Sequence, residues 1–124
     1  ILVEKTDLVK IELNINNTVV KENDKQQFLD VAPEINGDNR TMLPLRYIGE
    51  ALGCNVNWNE ATRTITIQKD DVVMNLTIDQ TIAGFDTAAT IKNGRTLVPV
   101  RYISEMLGAN VIWDPAEQQI VIVK

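Results

Sequence analysis

Arg40-Thr-Met-Leu-Pro-Leu-Arg-Tyr-Ile-Gly-Glu-Ala-Leu-Gly53 returns 55 residues later as Arg95-Thr-Leu-Val-Pro-Val-Arg-Tyr-Ile-Ser-Glu-Met-Leu-Gly108. The spacing holds through Trp58/Trp113, Ile65/Ile120 and Ile67/Ile122, and 16 of the 30 positions in 40–69 are identical to those in 95–124. Five of the other 14 exchange one apolar residue for another, so the chain reads as a duplication. Upstream the spacing changes. Ile11-Glu-Leu-Asn-Ile15 matches Met74-Asn-Leu-Thr-Ile78 at 63, so the first copy carries eight additional residues. They fall near Lys21–Phe28, whose polar run reads as a solvated loop inserted into the first copy. The copies span 1–69 and 70–124, and the pattern leaves open whether they share one core or build two.

Each copy carries the same local signals. Ile11, Leu13 and Ile15 alternate with Glu12 and Asn14, the period of a half-buried strand. Asn16-Asn17 then suits a tight turn before Thr18-Val19-Val20, because asparagine tolerates positive φ. Met74, Leu76 and Ile78, turning at Asp79-Gln80, repeat the device. Asn93-Gly94 predicts a second hairpin, with Asn36-Gly37 as its looser counterpart. Pro44 and Pro99 suit the first turn of a helix. Leu45, Ile48 and Leu52, like Val100, Ile103 and Leu107, make one apolar face over about ten residues, roughly three turns. Gly53 and Gly108 stand where a left-handed cap ends such a helix. Val56–Trp58 with Thr64–Ile67, and Val111–Trp113 with Gln119–Val123, close each copy as a hairpin, the second turning at Asp114-Pro115. The expected class is α+β: two tandem repeats of mainly antiparallel hairpins, each with one short helix.

Composition limits the function classes. The chain has 124 residues, 44% of them apolar and 23% charged, enough for a core without staples. Its net charge of −5, from 12 basic and 17 acidic side chains without a basic stripe, argues against nucleic acid and anionic lipid. No apolar run is long enough to insert in a membrane. Cys54 is the single cysteine, so no internal disulfide forms, and it reads as a small packing residue. The chain opens on Ile1 rather than Met, which we read as the mark of a piece trimmed from a longer protein.

The stretch Arg95-Thr-Leu-Val-Pro-Val-Arg-Tyr-Ile-Ser-Glu-Met-Leu-Gly-Ala-Asn-Val-Ile-Trp-Asp114 closely resembles the copper amine oxidase N-terminal-like domain, or stalk domain. The resemblance covers roughly residues 8–124 in two copies. It implies a repeated accessory module of secreted and surface proteins of Gram-positive bacteria, set beside hydrolases or wall-anchoring domains. It does not imply an oxidase. A copper amine oxidase holds its metal with three histidines, and this chain contains none. Imidazole acid–base chemistry and the usual copper or zinc ligand sets are therefore missing, and a lone cysteine cannot replace them. No cofactor or metal site is expected.

The candidate ligand-binding residues are Arg46, Tyr47, Arg101 and Tyr102. A guanidinium beside an aromatic ring suits a carboxylate or a sugar. The spacing favours a structural reading, in which each arginine pairs with the glutamate four residues on, Glu50 or Glu105. Trp58 and Trp113 could stack on sugar rings, but their alternation with Val56 and Val111 predicts core. The carboxylates Asp70, Asp71, Glu60, Asp114 and Glu117 fall in turns and strand ends, and nothing sets two of them across a cleft for glycoside hydrolysis. Ser104, the only serine, has no histidine to activate it. Asn36-Gly-Asp-Asn39 is only a partial calcium loop.

One asymmetry between the copies carries a further expectation. Asn57, Thr66 and Gln68 of the first closing hairpin correspond to Ile112, Val121 and Val123 of the second. A strand apolar on both faces predicts cover on both faces, from the first copy or a neighbouring domain. Exposure of both Ile112 and Val121 in the isolated chain would instead point to an absent partner.

The function expected from the sequence is a non-catalytic accessory module, a spacer or stalk at the bacterial cell surface or in a secreted protein. Its expected partners are cell-wall glycan or the neighbouring domains of a larger protein. A specific carbohydrate- or peptide-binding domain is the alternative, and a carboxylate-based hydrolase the remote third. A spacer shows no saturable ligand, a binding module shows one, and a hydrolase turns its substrate over.

Overall fold

The computed structural model describes residues 8–124. The elements are β1 (Lys10–Asn14), β2 (Val19–Glu22), β3 (Lys25–Phe28), β4 (Glu34–Ile35), β5 (Thr41–Pro44), α1 (Leu45–Ala51), β6 (Asn55–Asn59), β7 (Thr64–Lys69), β8 (Val72–Thr77), β9 (Thr90–Lys92), β10 (Arg95–Pro99), α2 (Val100–Met106), β11 (Asn110–Asp114) and β12 (Gln119–Val123). Every strand pair is antiparallel, and the class is α+β.

Turn chemistry sets most of the hairpins. Asn93 and Gly94 have φ of 51° and 75°, the primed geometry whose twist matches that of the flanking strands. Asn16 takes φ 61° at the end of β1. The segment Lys21–Phe28 corrects the expectation of a loop. Asn23 (φ 50°) and Asp24 (φ 70°) form a second primed turn, which pairs β2 with β3 from Val19↔Phe28 to Glu22↔Lys25. Its side chains look loop-like because β3 is an edge strand, exposed along its whole length.

Each helix has seven residues rather than ten, and starts directly after Pro44 or Pro99, which occupy the N-cap position rather than the first turn. Gly53 (φ 88°) and Gly108 (φ 72°) end them in the left-handed region. The last lysine of each closing hairpin then serves the helix end. Lys69 Nζ donates to the Leu52 carbonyl at 3.0 Å, and Lys124 Nζ to the Leu107 carbonyl at 2.6 Å. Carbonyls with no partner inside the helix thereby gain a cationic donor.

The strands form three sheets, ordered β11-β12-β1-β2-β3, β4-β5-β10-β9 and β6-β7-β8. The two halves of the sequence interleave in all three. β12 pairs with β1, β8 pairs with β7, and β5 pairs with β10. One buried cluster accordingly draws Ile11, Leu43, Ile48 and Ile67 together with Val98, Tyr102, Ile103 and Ile122. Met42 and Leu97 pack with Val31 on the opposite side of the β5–β10 pair.

Two expectations about burial fail. Trp58 and Trp113 are 38% and 41% exposed, although Val56 on the same strand face as Trp58 is buried. Gly49 of α1 sits against Val56, where an added Cβ would lie 3.0 Å from Val56 Cγ2, so the helix covers that position of β6 closely. The expected cover over Ile112 is also missing. β12 is internal to its sheet, but β11 is the edge and Ile112 is 59% exposed, while Val121 and Val123 are half-buried.

Candidate functional site

A concavity of about 750 Å³ is a groove walled by α1, the β6–β7 hairpin, the stretch after β3 and the β9–β10 turn. Arg46, Tyr47 and Glu50 come from the helix, Trp58, Glu60 and Arg63 from the hairpin, and Phe28, Asp30 and Arg95 from the remaining walls. A volume of this size lies within the range of ligand sites, roughly 300–1,000 Å³.

Its arginines each pair with a carboxylate. Arg46 Nη1 lies 3.3 Å from Glu50 Oε2, Arg95 Nη2 lies 2.8 Å from Asp30 Oδ2, and Arg63 Nη2 lies 3.6 Å from Asp79 Oδ2. The Tyr47 hydroxyl donates to Glu22 Oε1 at 2.7 Å. Burial first, and then this bond, hold the phenol well above its ordinary range. The carboxylates of Asp30 and Glu50 stand in solvent, at 70% and 53% exposure. A catalytic acid needs the opposite environment. The groove therefore offers aromatic and apolar surface with balanced charge, and no acid–base pair.

The four candidate residues do not converge. Arg46 and Tyr47 line the groove. At the corresponding places on α2, Tyr102 is covered by the chain itself, and Arg101, still exposed, is contacted by it. Phe85, in the segment between β8 and β9, lies with its ring centroid 4.3 Å from Arg101 Cζ and 5.8 Å from the Tyr102 ring. Arg101 Nη2 donates to the Gly84 carbonyl at 2.8 Å, and Arg101 also pairs with Glu105. Tyr102 is 1% exposed, so as a ligand contact it is corrected to a core residue. Burial, with a smaller contribution from Cys54, pushes its pKa up to about 12.

Sequence reasoning missed Trp58 as a wall of the groove, and with it Phe28, Arg63 and Arg95. Trp58 followed the apolar alternation, which marks a strand face and not what covers it, and it is 38% exposed. Phe28 ends a polar run that suggested a loop. Phe85 sits in Ala-Gly-Phe-Asp, a stretch without periodicity, and nothing local marks it.

The family model for the copper amine oxidase N-terminal domain matches residues 2–67 and 21–122, and the second match alone spans most of the chain. The chain belongs to that family. The copper amine oxidase N-terminal domain is a non-catalytic accessory domain. No curated protein and no solved structure matches the chain. The donor set does not fit copper. The domain has no histidine and one buried cysteine, and no group of three metal-ligating side chains occurs among the described residues. No helix among them is long and apolar enough to cross a membrane.

Proposed function

We propose that the chain is a non-catalytic binding module of a bacterial cell-surface or secreted protein, and that the groove beside α1 holds its partner. The observation that carries this reading is the open concavity of about 750 Å³, in which Phe28 (69% exposed), Trp58 and Tyr47 stand near paired, solvated charges. Exposed aromatics around a depression are the usual anchors of recognition. The two copies work as one unit here rather than as two beads, because each copy's closing hairpin is completed by the other's first strand. A unit tied together in this way also holds neighbouring domains at a fixed spacing, and the accessory character of the family supports that second role.

Co-sedimentation of the purified chain with insoluble Gram-positive cell walls tests the reading. The expected result is saturable binding that survives high salt and is lost in Trp58→Ala. Binding that salt abolishes, or that persists in Trp58→Ala, would count against the groove.

A further inference from the structure

Arg101 and Tyr102 show what the groove on the other copy is shaped to accept, because at their site the chain supplies its own occupant. Gly84 gives its carbonyl to Arg101, and the Phe85 ring lies against both the guanidinium and the Tyr102 ring. Arg46 and Tyr47 correspond to Arg101 and Tyr102 in the repeated motif, with the glutamate four residues on conserved as Glu50 and Glu105. Arg46 pairs with Glu50 as Arg101 pairs with Glu105. The difference lies in the covering segment.

Two reciprocal ion pairs align those segments. Arg40 pairs with Asp86, and Arg95 pairs with Asp30. Arg40 and Arg95 stand at the same place in the motif, so Asp30 and Asp86 correspond, and Leu29 stands where Phe85 stands. Leu29 is buried at the base of the groove and has no ring to lay over a guanidinium. Arg46 keeps its pair with Glu50 but, unlike Arg101, has no ring of the chain over its guanidinium, and it lines the groove together with Phe28 and Trp58.

We infer that the groove binds an extended peptide carrying a small residue followed by an aromatic one. Its carbonyl accepts from Arg46 and its ring lies over Arg46 and Tyr47, as Gly84 and Phe85 lie over Arg101 and Tyr102. The inference rests on the binding reading of this groove and names its ligand class. The balance of three arginines (Arg46, Arg63, Arg95) against three carboxylates (Asp30, Glu50, Glu60) suits a segment of low net charge. A cation–π contact with a guanidinium and a charge-assisted hydrogen bond to a carbonyl supply orientation as well as affinity.

The test is an amide and indole NMR titration of the full chain with a synthetic peptide copying residues 81–88, Thr-Ile-Ala-Gly-Phe-Asp-Thr-Ala. The same peptide with Phe replaced by Ala and a chitin hexasaccharide serve as comparisons. Saturable shifts are expected at Arg46, Tyr47 and the Trp58 indole, at least about tenfold weaker with the Ala peptide. Arg46→Gln should weaken binding by a similar factor. Leu29→Phe should abolish it by giving the first copy its own ring, while the spectrum of the folded chain persists. Shifts confined to Arg101 and Tyr102 would overturn the inference, since the peptide would only be exchanging with its own parent loop. Shifts in the groove with the hexasaccharide alone would overturn the peptide class and leave the binding reading standing. No response to either ligand would remove both.

Discussion

Leu43 lies directly opposite Val98 in the β5–β10 pair, and these two residues occupy the same place in the two copies of the motif. Met42 faces Pro99 and Pro44 faces Leu97, so the register is symmetric about the Leu43–Val98 step. The two copies thus meet around a local twofold relation that passes between these side chains. The reciprocal pairs Arg40–Asp86 and Arg95–Asp30 obey it, as do the two lysines that serve the helix ends. Both residues at its centre are fully buried.

Truncating that centre should weaken the whole fold at once. Leu43→Ala is expected to lower unfolding free energy by about 3 kcal/mol, through lost transfer energy and the cavity left behind. Val73→Ala, at a site 52% exposed, should stay within about 0.5 kcal/mol of the parent. Urea unfolding followed by both tryptophan fluorescence and far-UV circular dichroism measures the two. The probes should give one coincident transition, because Trp58 and Trp113 stand on the closing hairpins of the two copies, whose strands share one core.

The chain has only two tyrosines, and both are held protonated beyond the ordinary phenol range. Ultraviolet titration of the folded chain should therefore show no phenolate rise near pH 10, with Tyr102 ionising at about 12. Because the unfolded phenols release their protons near 10, this stability is fully present below pH 10. It is lost as the pH rises from there through about 12. Glu22→Gln should lower the Tyr47 midpoint by removing its charged acceptor, yet leave it above 10, since burial is the larger cause. A rise at pH 10 in the native chain would show that the phenols are not protected.

Asp86 behaves in the opposite sense. The hydrogen bond from Arg40 first, and its charge, hold the carboxyl down at about 2, against an ordinary value of 3.8. The contribution is present above about pH 3.8 and is lost as the pH falls through 2. Carboxyl-carbon NMR should give that midpoint in the native chain and a return towards 3.8 in Arg40→Gln. Both side chains are largely exposed, so the substitution should hardly alter stability at neutral pH.

The hairpins, the helix positions and the α+β class were legible in the sequence because they rest on local chemistry. Asn93-Gly94 sets a primed turn, Gly53 and Gly108 end helices, and Ile11, Leu13 and Ile15 keep one strand face apolar. The exposure of Trp58 as a groove wall was not legible, because strand alternation marks a face and not what covers it. β3 was hidden because an edge strand exposed along its length has no apolar alternation to display. Arg46 and Tyr47 were found as candidates from their repetition. That Arg101 and Tyr102 differ from them depends on Phe85, a residue outside the repeated motif whose contact across the fold no local pattern encodes.

Gly108 should resist substitution more than its surroundings suggest. Its φ of 72° lies in the left-handed region, where a Cβ meets the backbone carbonyl at a cost of roughly 1–2 kcal/mol. An added Cβ would otherwise touch only Lys124 Nζ, at 3.8 Å, so packing does not explain the glycine. Gly108→Ala is expected to lose about 1 kcal/mol and Gly37→Ala, in open space without a positive φ, close to nothing. Thermal melts of the two variants separate conformational strain from simple crowding.

The exchange of strands between copies makes the sharpest expectation about folding. In residues 1–69 alone, β7 would lose β8 as its neighbour, β1 would lose β12, and β5 would lose β10. The fragment would expose Leu43, Ile67 and Ile11, all fully buried in the intact chain, with too little core left to offset the backbone entropy. It should be unfolded by circular dichroism and by amide dispersion, and so should 70–124. Mixed at high concentration, the two pieces should recover the intact chain's amide spectrum, since the contacts that join the copies do not require a covalent link. A well-dispersed spectrum from either piece alone would show that a single copy carries its own core, and the strand pairings between copies would then be a docking of two domains.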